Sequence, residues 1–129
     1  MSPPETQKTV LIVDDDPSVL AVVERILSRQ HYRVKTLSNG AAAFKTAKAL
    51  RPDLIILDVV MPGLDGVDIA GYLQEDHTTV QIPILYLTAL DGSGSAPAAG
   101  ALMATHVLNK PVNAEELITR VRELTNAKK

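Results

Sequence analysis

The sequence predicts a single α/β domain, a parallel sheet with helices on both faces. Three observations carry this. Short β-branched runs alternate with longer segments of helical period, as five strand–helix units in about 120 residues. Two of the runs, 10–13 and 54–57, are apolar without a break, as in strands buried on both sides. Both runs end in acid: "VLIVDDD" closes on Asp14, Asp15 and Asp16, and "LIILD" closes on Asp58.

Each element has its own signal. "KTVLIVD" (8–14) is the first strand. "DPSVLAVVERILSRQ" (16–30) is a helix, with Asp16 as N-cap, Pro17 at its first position and Val19, Val22, Val23, Ile26 and Leu27 at helical spacing. "YRVKTL" (32–37) is the second strand, and "SNGAAAFKTAKAL" (38–50) is a helix expected to be capped by Ser38. "DLIILD" (53–58) is the third strand, and "DGVDIAGYLQED" (65–76) is a helix weakened by Gly71. "IPILYLT" (82–88) is the fourth strand, with Pro83 tolerated near its start, and "THVLNK" (105–110) is the fifth. "NAEELITRVRELTN" (113–126) is the last helix, with Asn113 and Glu116 at capping-box spacing and Leu117, Ile118, Val121 and Leu124 on its apolar face. Between the last two strands, "DGSGSAPAAGALMA" (91–104) is too rich in glycine for a regular helix. A short or mobile helix, from about Pro97 onward, is expected there. Residues 1–7 are expected to be a disordered tail, 8–126 the domain and 127–129 a short end.

Composition narrows the function classes. Thirteen Lys+Arg against 15 Asp+Glu leave a formal charge of -2, which makes no electrostatic case for nucleic acid or a charged membrane. The chain has no cysteine, so thiolate chemistry is excluded, and His31, His77 and His106 show no HxxxH or HxH spacing, so a His-based metal site is not expected. Aromatics are 3% of residues, which leaves no stacking platform for single-stranded nucleic acid. The N-terminus "MSPPETQK" lacks an apolar core, and no run approaches the roughly 20 residues of a membrane helix. A cytoplasmic location is expected.

In open parallel sheets the working crevice lies beyond the carboxyl ends of the strands. Asp14 and Asp15, Asp58, Thr88 and Lys110 all stand at such ends. Each has an ordinary explanation alone. Asp16 is a helix cap, Asp14 and Asp15 suit a loop, Thr88 suits a strand end and Lys110 suits solvent. Asp53, Asp65, Asp68 and Asp91 read as turn or cap residues. The joint pattern is what matters. Three carboxylates in one pocket repel one another, and a hard divalent cation such as Mg2+ relieves this through oxygen ligands. A carboxylate also attacks phosphorus, giving an aspartyl phosphate. Positive charge around the phosphoryl oxygens then comes from the metal and Lys110, with a hydrogen bond from Thr88.

"VLIVDDD", "LIILDVVMPGLDG", "LTA" and "NKP" together resemble the receiver domain of two-component response regulators, of the single-domain chemotaxis type, over about residues 8–126. The resemblance implies a flavodoxin-like, doubly wound fold with strand order 2-1-3-4-5 and, here, an atypical fourth helix. It implies that Asp58 accepts phosphate from a histidine kinase or a histidine phosphotransfer protein. It implies Mg2+, for which Mn2+ can substitute, bound by Asp15, Asp58 and the backbone carbonyl of Val60, with Asp14 acting through water. Thr88 and Lys110 would contact the phosphoryl group, and the Lys110–Pro111 bond would be cis. Such a domain is not an enzyme, although it assists its own phosphorylation and dephosphorylation. Its output partner is an unknown protein; no nucleic acid binds through this domain and no membrane is involved.

Some positions depart from the family pattern. Val107 stands where Tyr or Phe usually couples to Thr88, Val112 follows Pro111 where Phe is common, and Met103 replaces a usual Gly. Signalling through order and disorder of residues 91–104 is therefore expected. Val60 and Leu90 are apolar where the attacking water is flanked, so slow self-dephosphorylation is expected. Two other functions stay open. A Mg2+-dependent phosphatase or phosphotransferase with an aspartyl nucleophile usually has an acid where Val60 stands, and a cap for which the chain has no length. A degenerate receiver acting only as a protein-binding module would not need the intact acids and Lys110. No output domain is visible, so the chain is either a stand-alone adaptor or a receiver cut from a larger regulator.

Overall fold

The computed structural model describes residues 7–59, 66–89 and 106–126. The elements in chain order are β1 (Thr9–Val13), α1 (Pro17–Arg29), β2 (Arg33–Leu37), a 3-10 turn (Gly40–Ala42), α2 (Ala43–Leu50), β3 (Leu54–Asp58), α3 (Gly66–Glu75), β4 (Ile84–Ala89), β5 (Val107–Lys110) and α4 (Ala114–Asn126). The sheet has order β2-β1-β3-β4-β5, and every pairing is parallel. This is the flavodoxin-like order that the resemblance implies. Val60, Asp65, Leu90, Asp91, Met103, the segment 91–104 and the tails 1–6 and 127–129 lie outside the described residues, whereas Gln7 is described and its side-chain amide donates to the His31 carbonyl at 3.2 Å.

Side chains alternate across the sheet, so each strand feeds two core layers. Leu11, Val13, Ile55, Leu57, Ile84 and Tyr86 pack with Ala43 and Ala47 of α2 and with Ile69 and Leu73 of α3. Val10, Ile12, Leu54, Ile56, Leu85, Leu87 and Leu108 pack on the other side, against Leu20, Val23 and Leu27 of α1 and Leu117, Val121 and Leu124 of α4. This explains the unbroken apolar runs: β3 is buried along its whole length because helices cover both of its faces. β2 is one of the two edge strands, and its Arg33 and Lys35 are exposed.

The helix ends follow their capping chemistry. Asp16 accepts from the Ser18 N–H at 2.9 Å and from the Ser18 hydroxyl at 2.7 Å, and Pro17 opens α1. These hydrogen bonds hold the Asp16 carboxyl below its usual value. The Asn113 side chain accepts from the Glu116 N–H at 2.9 Å and caps α4. The second helix is a correction. Ser38 does not cap it; Asn39 caps a 3-10 turn ahead of it, accepting from the Ala41 N–H at 2.8 Å, and α2 itself follows Ala42 with no side-chain cap. Asn39 has extended backbone (φ -131), which aims its carbonyl oxygen at the next turn, so the chain enters through a 3-10 turn before α2 begins at Ala43. The fourth strand begins at Ile84 rather than residue 82. Pro83 has no N–H for the ladder, but its carbonyl still accepts from Ile55 at 3.0 Å.

Two stability outcomes follow from these contacts. Gly71 lies inside α3, and a β-carbon there would meet nothing within 4 Å. Gly71→Ala is therefore expected to stabilise the fold by about 0.5–1 kcal/mol, measured by urea denaturation. Beyond α3, the side-chain and backbone hydrogen bonds from Thr78, helped by Lys48 at 3.3 Å, hold the Asp76 carboxyl down to about 2. With a depressed folded pKa, this carboxyl stabilises the fold above its ordinary value near 3.8 and loses that contribution as pH falls toward 2. Thr78→Ala should return the Asp76 midpoint toward the ordinary range, read by NMR titration of its side-chain carboxyl.

Candidate functional site

Four strands deliver the site to one rim. Asp14 follows the last residue of β1, Asp58 ends β3, Thr88 is next to last in β4 and Lys110 ends β5. Parallel pairing sets the alignment: Val13 lies beside Leu57, Asp58 beside Leu87, and Ala89 beside Lys110. Four polar residues thus stand where the apolar strands stop. The opening contrast in the sequence, an acid closing a core strand, is the boundary between core and site.

One carboxylate oxygen from each of Asp14, Asp15 and Asp58 lies within 4.8 Å of the other two. Asp14 is fully buried, Asp58 is 4% exposed and Asp15 is exposed. Lys110 Nζ reaches Asp14 Oδ2 at 3.0 Å and Asp58 Oδ2 at 3.5 Å. The Asp14 carboxylate is divided in use: Oδ1 accepts from the Asp16 N–H at 2.9 Å, whereas the buried Oδ2 faces Lys110 without a well-aligned hydrogen bond. Burial alone would lower the Lys110 pKa. The close contact with Asp14 and the charges of Asp58 and Asp14 outweigh it, and the net direction is upward.

The donor set suits a hard divalent ion. It consists of carboxylate oxygens from two strand ends, one of them an under-satisfied buried oxygen and one exposed on Asp15, with no soft ligand. Asp14, Asp15, Asp58 and Lys110 are brought together as the strand-end pattern predicts. Thr88 is buried on the adjacent strand, beside Asn109. Val60, the expected backbone ligand, is outside the described residues. The Lys110–Pro111 bond is cis. The direct contact between Lys110 and Asp14 was not foreseen; the two residues stand at opposite ends of the chain and no local pattern links them.

At the position lacking the usual aromatic, Val107 is half-buried and is the register partner of Tyr86. Both pack against the same core layer, and burial pushes the Tyr86 hydroxyl pKa up. An aromatic ring therefore does sit beside position 107, but on the neighbouring strand.

The fold and the rim of acids with one lysine are those of a receiver-type domain, and residues 10–122 match the response regulator receiver domain family, to which the chain belongs. Among its relatives, the response regulator PleD of Caulobacter vibrioides is 39% identical over 119 residues, covering 92% of this chain and 26% of PleD. The alkaline phosphatase synthesis transcriptional regulatory protein PhoP of Bacillus subtilis is 36% identical over 117 residues, covering 91% of this chain and 48% of PhoP. The chain thus spans between a quarter and a half of the length of these relatives. Among solved structures, the chemotaxis protein CheY4 of Vibrio cholerae superposes with a TM-score of 0.80 at 31% identity, covering 92% of this chain and 98% of that one. The chain is a two-component signalling domain. Among the described residues, no helix is long and apolar enough to cross a membrane.

Proposed function

We propose that this domain is a phosphorylation switch in which Asp58 accepts a phosphoryl group from a histidine kinase or a histidine phosphotransfer protein. The observation that carries this is the cluster of Asp14, Asp15 and Asp58 with Lys110 held against two of the three acids. An Asp58 carboxylate oxygen attacks phosphorus, the P–N bond to the donor imidazole breaks, and its electron pair stays on the imidazole nitrogen, which takes up a proton. Asp14, Asp15 and Asp58 would hold Mg2+, or Mn2+ in its place, together with the Val60 carbonyl; when bound, the ion supplies positive charge against the phosphoryl oxygens. Lys110 leaves its contact with Asp58 to pair with the arriving phosphoryl group. Thr88 offers its hydroxyl to another phosphoryl oxygen from the adjacent strand end. The domain acts in the cytoplasm, and the signal is read as changed binding of an output protein.

Acetyl phosphate is the direct test. Mg2+-dependent labelling of the wild-type chain, lost in Asp58→Asn, is the expected result. Labelling that persists in Asp58→Asn would place the acceptor elsewhere. Continuous turnover of phosphomonoesters would mark a phosphatase, and a wild-type chain that takes no label would mark a degenerate receiver.

A further inference from the structure

Charge is distributed unevenly along this chain. Residues 25–52 contain seven of its 13 Lys+Arg and none of its 15 Asp+Glu. These residues form the end of α1, the edge strand β2 and helix α2, which flank the β2 edge of the sheet, α1 on one face and α2 on the other. Arg33 and Lys35 pair in register with Thr9 and Leu11, and Leu11 belongs to the core layer under α2. Both cations therefore project on the α2 side, where Lys45, Lys48 and Arg51 are also exposed.

Cations on an edge strand are often only a guard against edge-to-edge pairing, and that accounts for Arg33 and Lys35. It does not account for α2. There, a hollow of about 440 Å³ is lined by Phe44, Lys45, Lys48 and Ala49. Lys48 Nζ lies 5.3 Å from the centre of the Phe44 ring, and the Tyr72 ring, on a residue 55% exposed, stands 6.2 Å from it. An aromatic floor with ammonium groups at its rim accepts an apolar side chain flanked by acids. On the far side, α3 and its following turn carry Asp68, Glu75 and Asp76, with Asp76 paired to Lys48 at 3.3 Å. Those acids oppose a continuous phosphate backbone and favour a partner whose charges are discrete.

We infer that the β2–α2 edge docks an acidic peptide segment of another protein, seating one apolar side chain in the hollow beside Phe44. This site is separate from the acid cluster and does not depend on phosphorylation of Asp58. The test is NMR titration of the full chain with a 12-residue Glu/Asp peptide bearing a central Phe, compared with its Phe→Ser form and with a 12-nucleotide oligothymidylate. The expected result is shift changes confined to residues 33–51 and Tyr72, with at least fivefold weaker binding of the Phe→Ser peptide. Lys45→Glu/Lys48→Glu should weaken the Phe peptide at least tenfold. Lys45→Glu/Arg51→Glu, which leaves the Lys48–Asp76 pair intact, should do so as well. Equal binding of the Phe and Ser peptides, unchanged affinity in both double variants, or tighter binding of the oligonucleotide would each overturn the inference.

Discussion

Lys110→Met is expected to destabilise the fold by about 2–4 kcal/mol and to slow acetyl phosphate labelling at least about 100-fold. The Lys110 ammonium serves two buried carboxylates, Asp14 at 3.0 Å and Asp58 at 3.5 Å. Methionine keeps an unbranched stem of similar length, so packing along the side chain survives and the loss isolates the charge. What remains is a fully buried Asp14 carboxylate that, among the described residues, accepts a hydrogen bond only from the Asp16 N–H. Breaking such a pair costs more than the pair contributes, because the remaining charge stays out of water. Lys110 keeps 20% of its side-chain exposure, and screening by that water holds the figure at the lower end. The pH dependence gives a second signature. The folded pKa of Lys110 is raised above its ordinary 10.5, so its contribution is complete below that value and is lost as pH rises through the folded one. The wild type should show this alkaline loss in denaturant melts, and Lys110→Met should not. Equal stability of the two proteins between pH 6 and 9 would contradict the role given to this contact.

Periodicity made the layers legible. The runs 10–13 and 54–57 fit strands covered on both faces, and the structure buries them in two separate core layers. The strand ends made the site legible, since parallel strands must bring Asp14, Asp58, Thr88 and Lys110 to one rim. Local cap chemistry was less readable. Ser38 and Asn39 are both good caps, and the choice between them rests on which backbone is extended at the turn, a detail that tertiary contacts set. The division of labour on Asp14 was hidden for a related reason. Which oxygen meets the Asp16 N–H and which meets Lys110 depends on side-chain rotation in a closed space, and no spacing rule encodes that. The cationic edge was hidden because charge was summed over the whole chain: a total of -2 conceals a long segment without a single acid.

The acid cluster sets the second large effect, and its sign depends on the metal. Three carboxylate oxygens lie within 4.8 Å of one another, with one ammonium to balance them. In metal-free buffer Asp58→Asn removes one negative charge while keeping the side chain's shape and one carbonyl oxygen. The variant is therefore expected to be more stable than the wild type by about 1 kcal/mol, the scale of one close like-charge contact at partial burial. With Mg2+ the order should reverse. An ion that binds only the folded wild type adds about 2.7 kcal/mol at a concentration of 100 times its Kd. Asp58→Asn has lost one of the three anionic ligands and should gain far less. Thermal melts in EDTA and across a Mg2+ series measure both limbs. A KCl series at matched ionic strength separates ligation from simple screening, which would move the two proteins alike. If Asp58→Asn melts below the wild type in EDTA, repulsion does not govern this pocket. If both proteins respond to Mg2+ equally, Asp58 is not one of the ion's ligands, and the rim would need another explanation for gathering its acids.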